Sequence, residues 1–165
     1  MKQLTLIGGP MGVGKTAVCQ KLMERLAPAA FLDGDWCWYM CPFLVNDETK
    51  AMVMDNAVAV LSRYLQSPEL DHVIFGWVMH REEIVEEIIS RLNTDGVKVN
   101  VIMLMCREDT LIQRLEQDIS AGLRQPDVVE RALDRLACRR SLPYMNVWTD
   151  GLSVNETVDQ IQNLL

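Results

Sequence analysis

GPMGVGKT, residues 9–16, decides how this chain is read. It satisfies G-x-x-x-x-G-K-[ST] at every fixed position, with Gly9, Gly14, Lys15 and Thr16 on the constrained letters. The setting fits as well. KQLTLIG before it, residues 2–8, is an apolar run suited to a strand. Residues 15–26 offer Ala17, Val18, Leu22 and Leu26 to a helix that stops before Pro28. In a strand–loop–helix of this kind, successive backbone N–H groups converge on an anion at the positive end of the helix. Gly12 and Gly14 lack Cβ atoms, so the backbone can turn tightly against a phosphate. Lys15 then neutralises β- and γ-phosphate charge, and the Thr16 hydroxyl ligates Mg²⁺, a hard cation that prefers oxygen. The expected nucleotide-binding set is Gly9, Pro10, Met11, Gly12, Val13, Gly14, Lys15, Thr16 and Ala17, with ATP and Mg²⁺ as cofactors. No N-K-x-D guanine pattern occurs, which favours ATP over GTP.

Outward from this loop, strands and helices alternate. Residues 30–33 read as a short second strand. The polar cluster Asn46-Asp47-Glu48-Thr49 opens a long helix to about residue 66, broken by Ser67-Pro68. Residues 72–78, with VIFGWV, read as a third strand. Over 81–93, Ile84, Val85, Ile88, Ile89 and Leu92 recur at helical spacing. Residues 97–106, VKVNVIMLMC, alternate and then become continuously apolar, as a central buried strand does. Helices are expected over 109–119 and 127–139, around a loop at 120–126, with Asp127 and Glu130 spaced as a capping box. A fifth strand at 146–149 and a turn at Asp150-Gly151 follow. Ser153 and Glu156 then form a second capping box, opening the final helix to residue 165. The alternation predicts an α/β fold: a parallel sheet with helices on both faces, right-handed crossovers, and ligands at the carboxyl ends of the strands.

The chain's 165 residues fit a single domain with a substantial core. No apolar run approaches the ~18 residues that span a bilayer, and the N-terminus lacks signal-peptide features, so a cytoplasmic protein is expected. A net charge of −7 argues against nucleic acid and against anionic membranes as partners. There are five cysteines: Cys19, Cys37, Cys41, Cys106 and Cys138. They form no C-x-x-C pair, and neither His72 nor His80 lies near them in sequence. Reduced, mostly buried thiols are expected rather than a zinc site.

FLDGDWCW, residues 31–38, places Asp33 and Asp35 just past the second strand, on the sheet edge that carries the glycine loop. Two carboxylates there divide two jobs. Asp33 holds a Mg²⁺-bound water, and Asp35 accepts a hydroxyl proton and orients the oxygen for in-line attack. The plainer reading is a polar turn in which both aspartates only cap neighbouring N–H groups. Trp36, Trp38, Tyr39 and Phe43 follow at once, and read equally as the wall of a pocket or as core.

GPMGVGKT, then LDGD at 32–35, an arginine-bearing region after the fourth strand and the closing WTDGLSVNETV together resemble one group. This is the P-loop small-molecule and nucleotide kinases: the shikimate, gluconate, adenylylsulfate and chloramphenicol kinase-like proteins. The likeness covers nearly the whole chain, and LDGD is particularly similar to the adenylylsulfate kinase pattern. It implies a three-layer α/β/α fold on a five-stranded parallel sheet, order 2-3-1-4-5. It also implies that Asp35 contacts the acceptor and that Thr149-Asp150-Gly151 lies on the adenine side. The chain departs from the pattern at the third strand. There VIFGWVMH puts Gly76 and Trp77 where many P-loop proteins carry a metal-shell aspartate. Asp33 then takes the metal-water role, or the metal relies on Thr16 and water. His80 and Arg81, just past that strand, either face the acceptor or begin a solvated helix.

Phosphoryl transfer needs cations over the γ-phosphate as charge spreads onto its oxygens. The resemblance implies a lid that brings them, at about 115–140, with Gly122 as a flexible point beside Arg124. The region supplies Arg107, Arg114, Arg124, Arg131, Arg135, Arg139 and Arg140. Lys15, Asp35, Arg114 and Arg124 are the expected catalytic residues, and Thr16 and Asp33 the expected metal ligands. Arg131, Arg135 and Arg139 lie four apart on one helix face, which also reads as a solvated stripe paired with Glu130 and Asp134. The expected function is ATP-dependent phosphorylation of a small molecule, at a hydroxyl or a phosphate, by a monomer or homodimer. The alternative is an ATP-binding regulatory module that hydrolyses slowly. The missing strand-three aspartate favours it; Asp35 and the arginines oppose it. A remodelling ATPase would need an extra helical domain beyond a chain of this size.

Overall fold

The apolar runs pair side by side in a computed structural model that describes residues 1–139 and 142–165. β1 (Gln3–Gly8) lies between β3 (His72–Trp77) and β4 (Lys98–Met105). β2 (Ala29–Asp33) flanks β3, and β5 (Met145–Trp148) flanks β4. Every pairing is parallel, and the sheet has five strands in the order β2-β3-β1-β4-β5. The expected three-layer α/β/α architecture and strand order are the ones observed. Leu4, Leu6 and Ile7 of β1 and Ile102, Met103 and Leu104 of β4 are fully buried. Strands covered on both faces lose the polar alternation, which is why β4 is continuously apolar over residues 101–105.

The helices are α1 (Lys15–Arg25), α2 (Asp47–Gln66), α3 (Glu82–Ser90), α4 (Glu108–Ser120), α5 (Val128–Arg139) and α6 (Val154–Gln162). α1 packs on α6 and β3, α2 on β2 and β3, and α4 on α5. Two starts are fixed by reciprocal caps. The Asn46 side chain accepts from the Thr49 N–H at 2.9 Å while Thr49 Oγ1 accepts from the Asn46 N–H at 3.0 Å. Ser153 and Glu156 make the same exchange at α6. Among the described residues, no helix is long and apolar enough to cross a membrane.

The register sets the site. Gly8 pairs with Trp77 on one side and Met103 on the other, and Asp33 pairs with Gly76. The glycine loop, the Asp33–Asp35 segment and the stretch after β3 therefore leave the sheet along one edge. The segment after β2 is an unanticipated 3₁₀ turn, Gly34–Trp38, capped by Asp33.

Candidate active site

The glycine loop is built for an anion. Gly12 and Gly14 have φ of 83° and 101°, the left-handed region that side chains disfavour. A Cβ on Gly12 would stand 2.6 Å from Leu115 Cδ2. Gly14 begins α1 without a side-chain cap, and the first turn of α1 holds no acidic residue. The first N–H groups of α1, which have no partner within the helix, thus receive no oxygen from the capping residue. Lys15 is half-buried, and its Nζ donates to the carbonyls of Gly9 at 2.9 Å and Pro10 at 3.0 Å. Burial, then the charge of Arg139, lowers its pKa to about 8, against the pull of Asp35, Cys19 and Asp33.

Beside it, Thr16 Oγ1 donates to Asp33 Oδ2 at 2.7 Å, and Asp33 Oδ1 accepts from the Asp35 N–H at 3.0 Å. Asp33 is buried. It so ties α1 to the end of β2, and it also makes the capping bond of the plainer reading. A hydroxyl and a carboxylate oxygen in contact form a hard donor set that fits Mg²⁺. Because Asp33 stands opposite Gly76 in register, β2 supplies the carboxylate that β3 lacks. Asp35 is more open to solvent. Partial loss of water around it, then the charge of Asp33, raises its pKa above the usual carboxylate range, opposed by Lys15 and Arg124. Lys15, Thr16, Asp33, Asp35 and Arg124 share the lining of one cavity of about 340 Å³.

The arginines separate into distinct environments. Arg124 Nε pairs with Asp118 Oδ2 at 2.9 Å on the wall of that cavity. Arg114 Nη1 donates to the Val13 carbonyl at 3.2 Å and to Thr149 Oγ1 at 3.0 Å, and Nη2 donates to the Thr149 carbonyl at 3.1 Å. It clamps the glycine loop to the loop after β5, lines the first cavity beside Arg124, and also borders a second cavity of about 250 Å³, shared with Val18, Thr149 and Thr157. Asp150 accepts from the Arg107 N–H and from Thr110 Oγ1, tying that same loop to the start of α4. The stripe on α5 is not uniformly solvated. Arg131 is exposed and pairs with Asp127 at 2.9 Å, one turn back. Arg135 is half-buried and its Nη1 reaches Met11 Sδ at 2.8 Å. Arg139 is fully buried. Arg140 lies outside the described residues. Arg139 was discernible in one respect: it sits three residues past Leu136 and seven past Ala132, both buried, so it falls on the apolar face of α5.

Trp36, Tyr39 and Phe43 are exposed, which removes the core reading for them; Trp38 is half-buried against Phe43, with ring centroids 5.8 Å apart. Arg81 is exposed and precedes α3. His80 is half-buried. Burial, then the charge of Arg135, lowers its pKa, with Arg81 and Arg139 adding to this and the Val78 backbone opposing it.

A glycine loop feeding a helix, on the carboxyl edge of a parallel sheet ordered 2-3-1-4-5, defines the kinase-like P-loop class. The chain belongs to the family described as the AAA domain, which matches residues 6–133. No curated protein matches it in sequence. Among solved structures it is similar to the tunicamycin resistance protein of Deinococcus radiodurans, with a TM-score of 0.74 and 23% identity over 99% of this chain and 95% of that one. A gluconokinase from Sinorhizobium meliloti superposes with a TM-score of 0.68 at 15% identity, covering 98% and 95%. Shikimate kinase from Acinetobacter baumannii, in complex with shikimate, gives 0.66 at 19% identity, covering 99% and 92%. These likenesses carry the fold.

Proposed function

We propose that the protein is an ATP- and Mg²⁺-dependent kinase that transfers the γ-phosphoryl group to a small molecule. One observation carries this reading: Asp35 opens into the same cavity as Lys15, Thr16 and Arg124. A nucleotide-binding loop alone needs no carboxylate base across from it; a kinase does. In this reading the amides of residues 9–17 cradle the polyphosphate and Lys15 offsets its charge. Thr16 and Asp33 hold Mg²⁺, which when bound draws charge from the phosphate oxygens. Asp35 takes the proton of the acceptor hydroxyl as its oxygen attacks the γ-phosphorus and the bond to the β-γ bridging oxygen breaks, releasing ADP. Arg124, within a lid at 115–140, stabilises charge on the transferring group. Arg114, held by Val13 and Thr149, lines the same cavity and adds a second cation beside the polyphosphate. The kinases of shikimate and gluconate among the similar structures make a small polar acceptor the first class to try. A cytoplasmic location, as monomer or homodimer, belongs to the same proposal.

The test is product analysis with MgATP and a panel of metabolites. ADP is expected only when an acceptor is present, together with one new phosphorylated product. ADP formed at the same slow rate with and without every acceptor would replace the kinase by the slow-hydrolysis reading. Arg124→Ala should lower kcat by about 10³-fold or more while changing nucleotide affinity far less.

A further inference from the structure

α5 carries a group that the transfer chemistry above does not use. Arg139 is fully buried, and its Nε and both Nη atoms have no hydrogen-bond partner among the described residues. Buried polar groups in folded proteins are nearly always paired, and a guanidinium brings five donors and no acceptor. Two neighbours are under-satisfied as well. His80 Nδ1 is buried without a partner among the described residues. Arg135, one turn before Arg139, reaches the thioether of Met11, a weak acceptor. The two arginines crowd positive charge together: Arg135 lowers the pKa of Arg139 and of His80, and Arg139 lowers that of Lys15. Burial is the first cause of the Arg139 shift, to about 9, so it remains cationic at neutral pH.

Strand order assigns the cluster to one half of the site. Thr149 follows β5 and the glycine loop follows β1, while Asp35 follows β2. His80 follows β3, which lies between β1 and β2. The cluster therefore stands on the Asp35 side of the glycine loop, opposite the Thr149 side. It meets the first cavity through Met11, which lines that cavity and which Arg135 touches.

We propose that Arg139, Arg135 and His80 bind an anionic group, a carboxylate or a phosphate ester, carried by the phosphoryl acceptor. This rests on the kinase reading of the Asp35 cavity and narrows its substrate class. A planar guanidinium matches two oxygens of either anion at once. Such an anion supplies the acceptors that Arg139 lacks and fixes the rest of the molecule relative to Asp35. A neutral analogue leaves the buried guanidinium unpaired and is rejected for that reason.

Sulfate serves as the probe, on the full chain at constant ionic strength made up with chloride. Thermal unfolding and calorimetry are followed first with MgADP bound, then with a Mg²⁺-loaded ATP analogue whose β–γ bridge cannot be cleaved. Sulfate is expected to stabilise both complexes of the wild type. Arg139→Met should weaken sulfate binding by about tenfold or more, with Arg139→Lys in between and MgADP affinity within about threefold in both. Arg135→Gln, on a half-buried side chain, should weaken it in the same direction and serves if Arg139→Met does not fold. No sulfate effect in either complex, or an unchanged effect in these variants, overturns the proposal. A sulfate effect that vanishes once the γ-position is filled assigns the cluster to the donor, and overturns it too. Absence of MgADP binding is read separately; it removes the kinase reading and this proposal with it.

Discussion

Lys15 titrates well below an ordinary lysine before any ligand arrives. Burial and Arg139 bring it to about 8, while Asp35, Cys19 and Asp33 pull the other way. Below that pH the ammonium is charged and nucleotide affinity should be flat. Above it the free protein has lost the proton, and a bound polyphosphate restores it. Affinity should then fall by up to about tenfold per pH unit, with proton uptake on binding. Calorimetry in two buffers of different ionisation heat checks this: uptake near zero at pH 7, rising toward one proton at pH 9. Equal uptake at both would contradict the assignment. Asp35 leads to a second expectation. Its raised pKa places the acid limb of the kcat/KM profile at higher pH than an ordinary carboxylate would, since a base must be ionised to accept a proton. Asp35→Asn should cut acceptor-dependent turnover by about 10²–10⁴-fold and leave MgADP affinity nearly unchanged. Turnover close to wild type would remove Asp35 from proton transfer.

The 3₁₀ turn Gly34–Trp38 shows what a local pattern misses. A Cβ on Gly34 would stand 2.2 Å from Trp77 Cγ, so the chain between the two aspartates lies flat against the ring that ends β3. Gly34→Ala should drive that ring aside and shift Asp33 and Asp35 together. The expected result is a loss of about 1–3 kcal/mol in stability, and a fall in turnover larger than the fall in MgADP affinity. Urea denaturation and tryptophan fluorescence report the first, and steady-state kinetics the second. Unchanged fluorescence and turnover would mean the turn does not depend on this contact. Features fixed by neighbours in sequence were legible: GPMGVGKT, the apolar run of β4, and the Asn46 and Ser153 caps. Their constraints lie within a few residues. The strand order came from family resemblance, because the pairing of β1 with β3 and β4 joins residues far apart in sequence. Arg114 was visible as a cation but not as a clamp, since Thr149 approaches it only when β4 and β5 pair. The exposed aromatics were undecidable from sequence, because apolar content does not tell a rim from a core.

At the scale of the molecule, Arg139 sets binding against stability. A fully buried guanidinium with no partner among the described residues weakens the fold, since water has been removed and none of those residues replaces it. Its neighbours on α5, Ala132 and Leu136, are buried in the apolar core and could accept a side chain of similar length without charge. Arg139→Met should therefore raise the stability of the nucleotide-free protein by about 1–4 kcal/mol. In a chain of this length each kcal/mol corresponds to roughly 2–4 °C in Tm. The same change should lower turnover, because the stabilised protein has lost a group its acceptor needs. Urea denaturation checks the first half, read as a higher midpoint at an unchanged slope. A lower midpoint would mean that the fold already satisfies Arg139, making it a structural cation. A higher midpoint with full turnover would leave its burial without a functional counterpart. Only a gain in stability joined to a loss of turnover fits a charge retained for an anion that the fold itself does not provide.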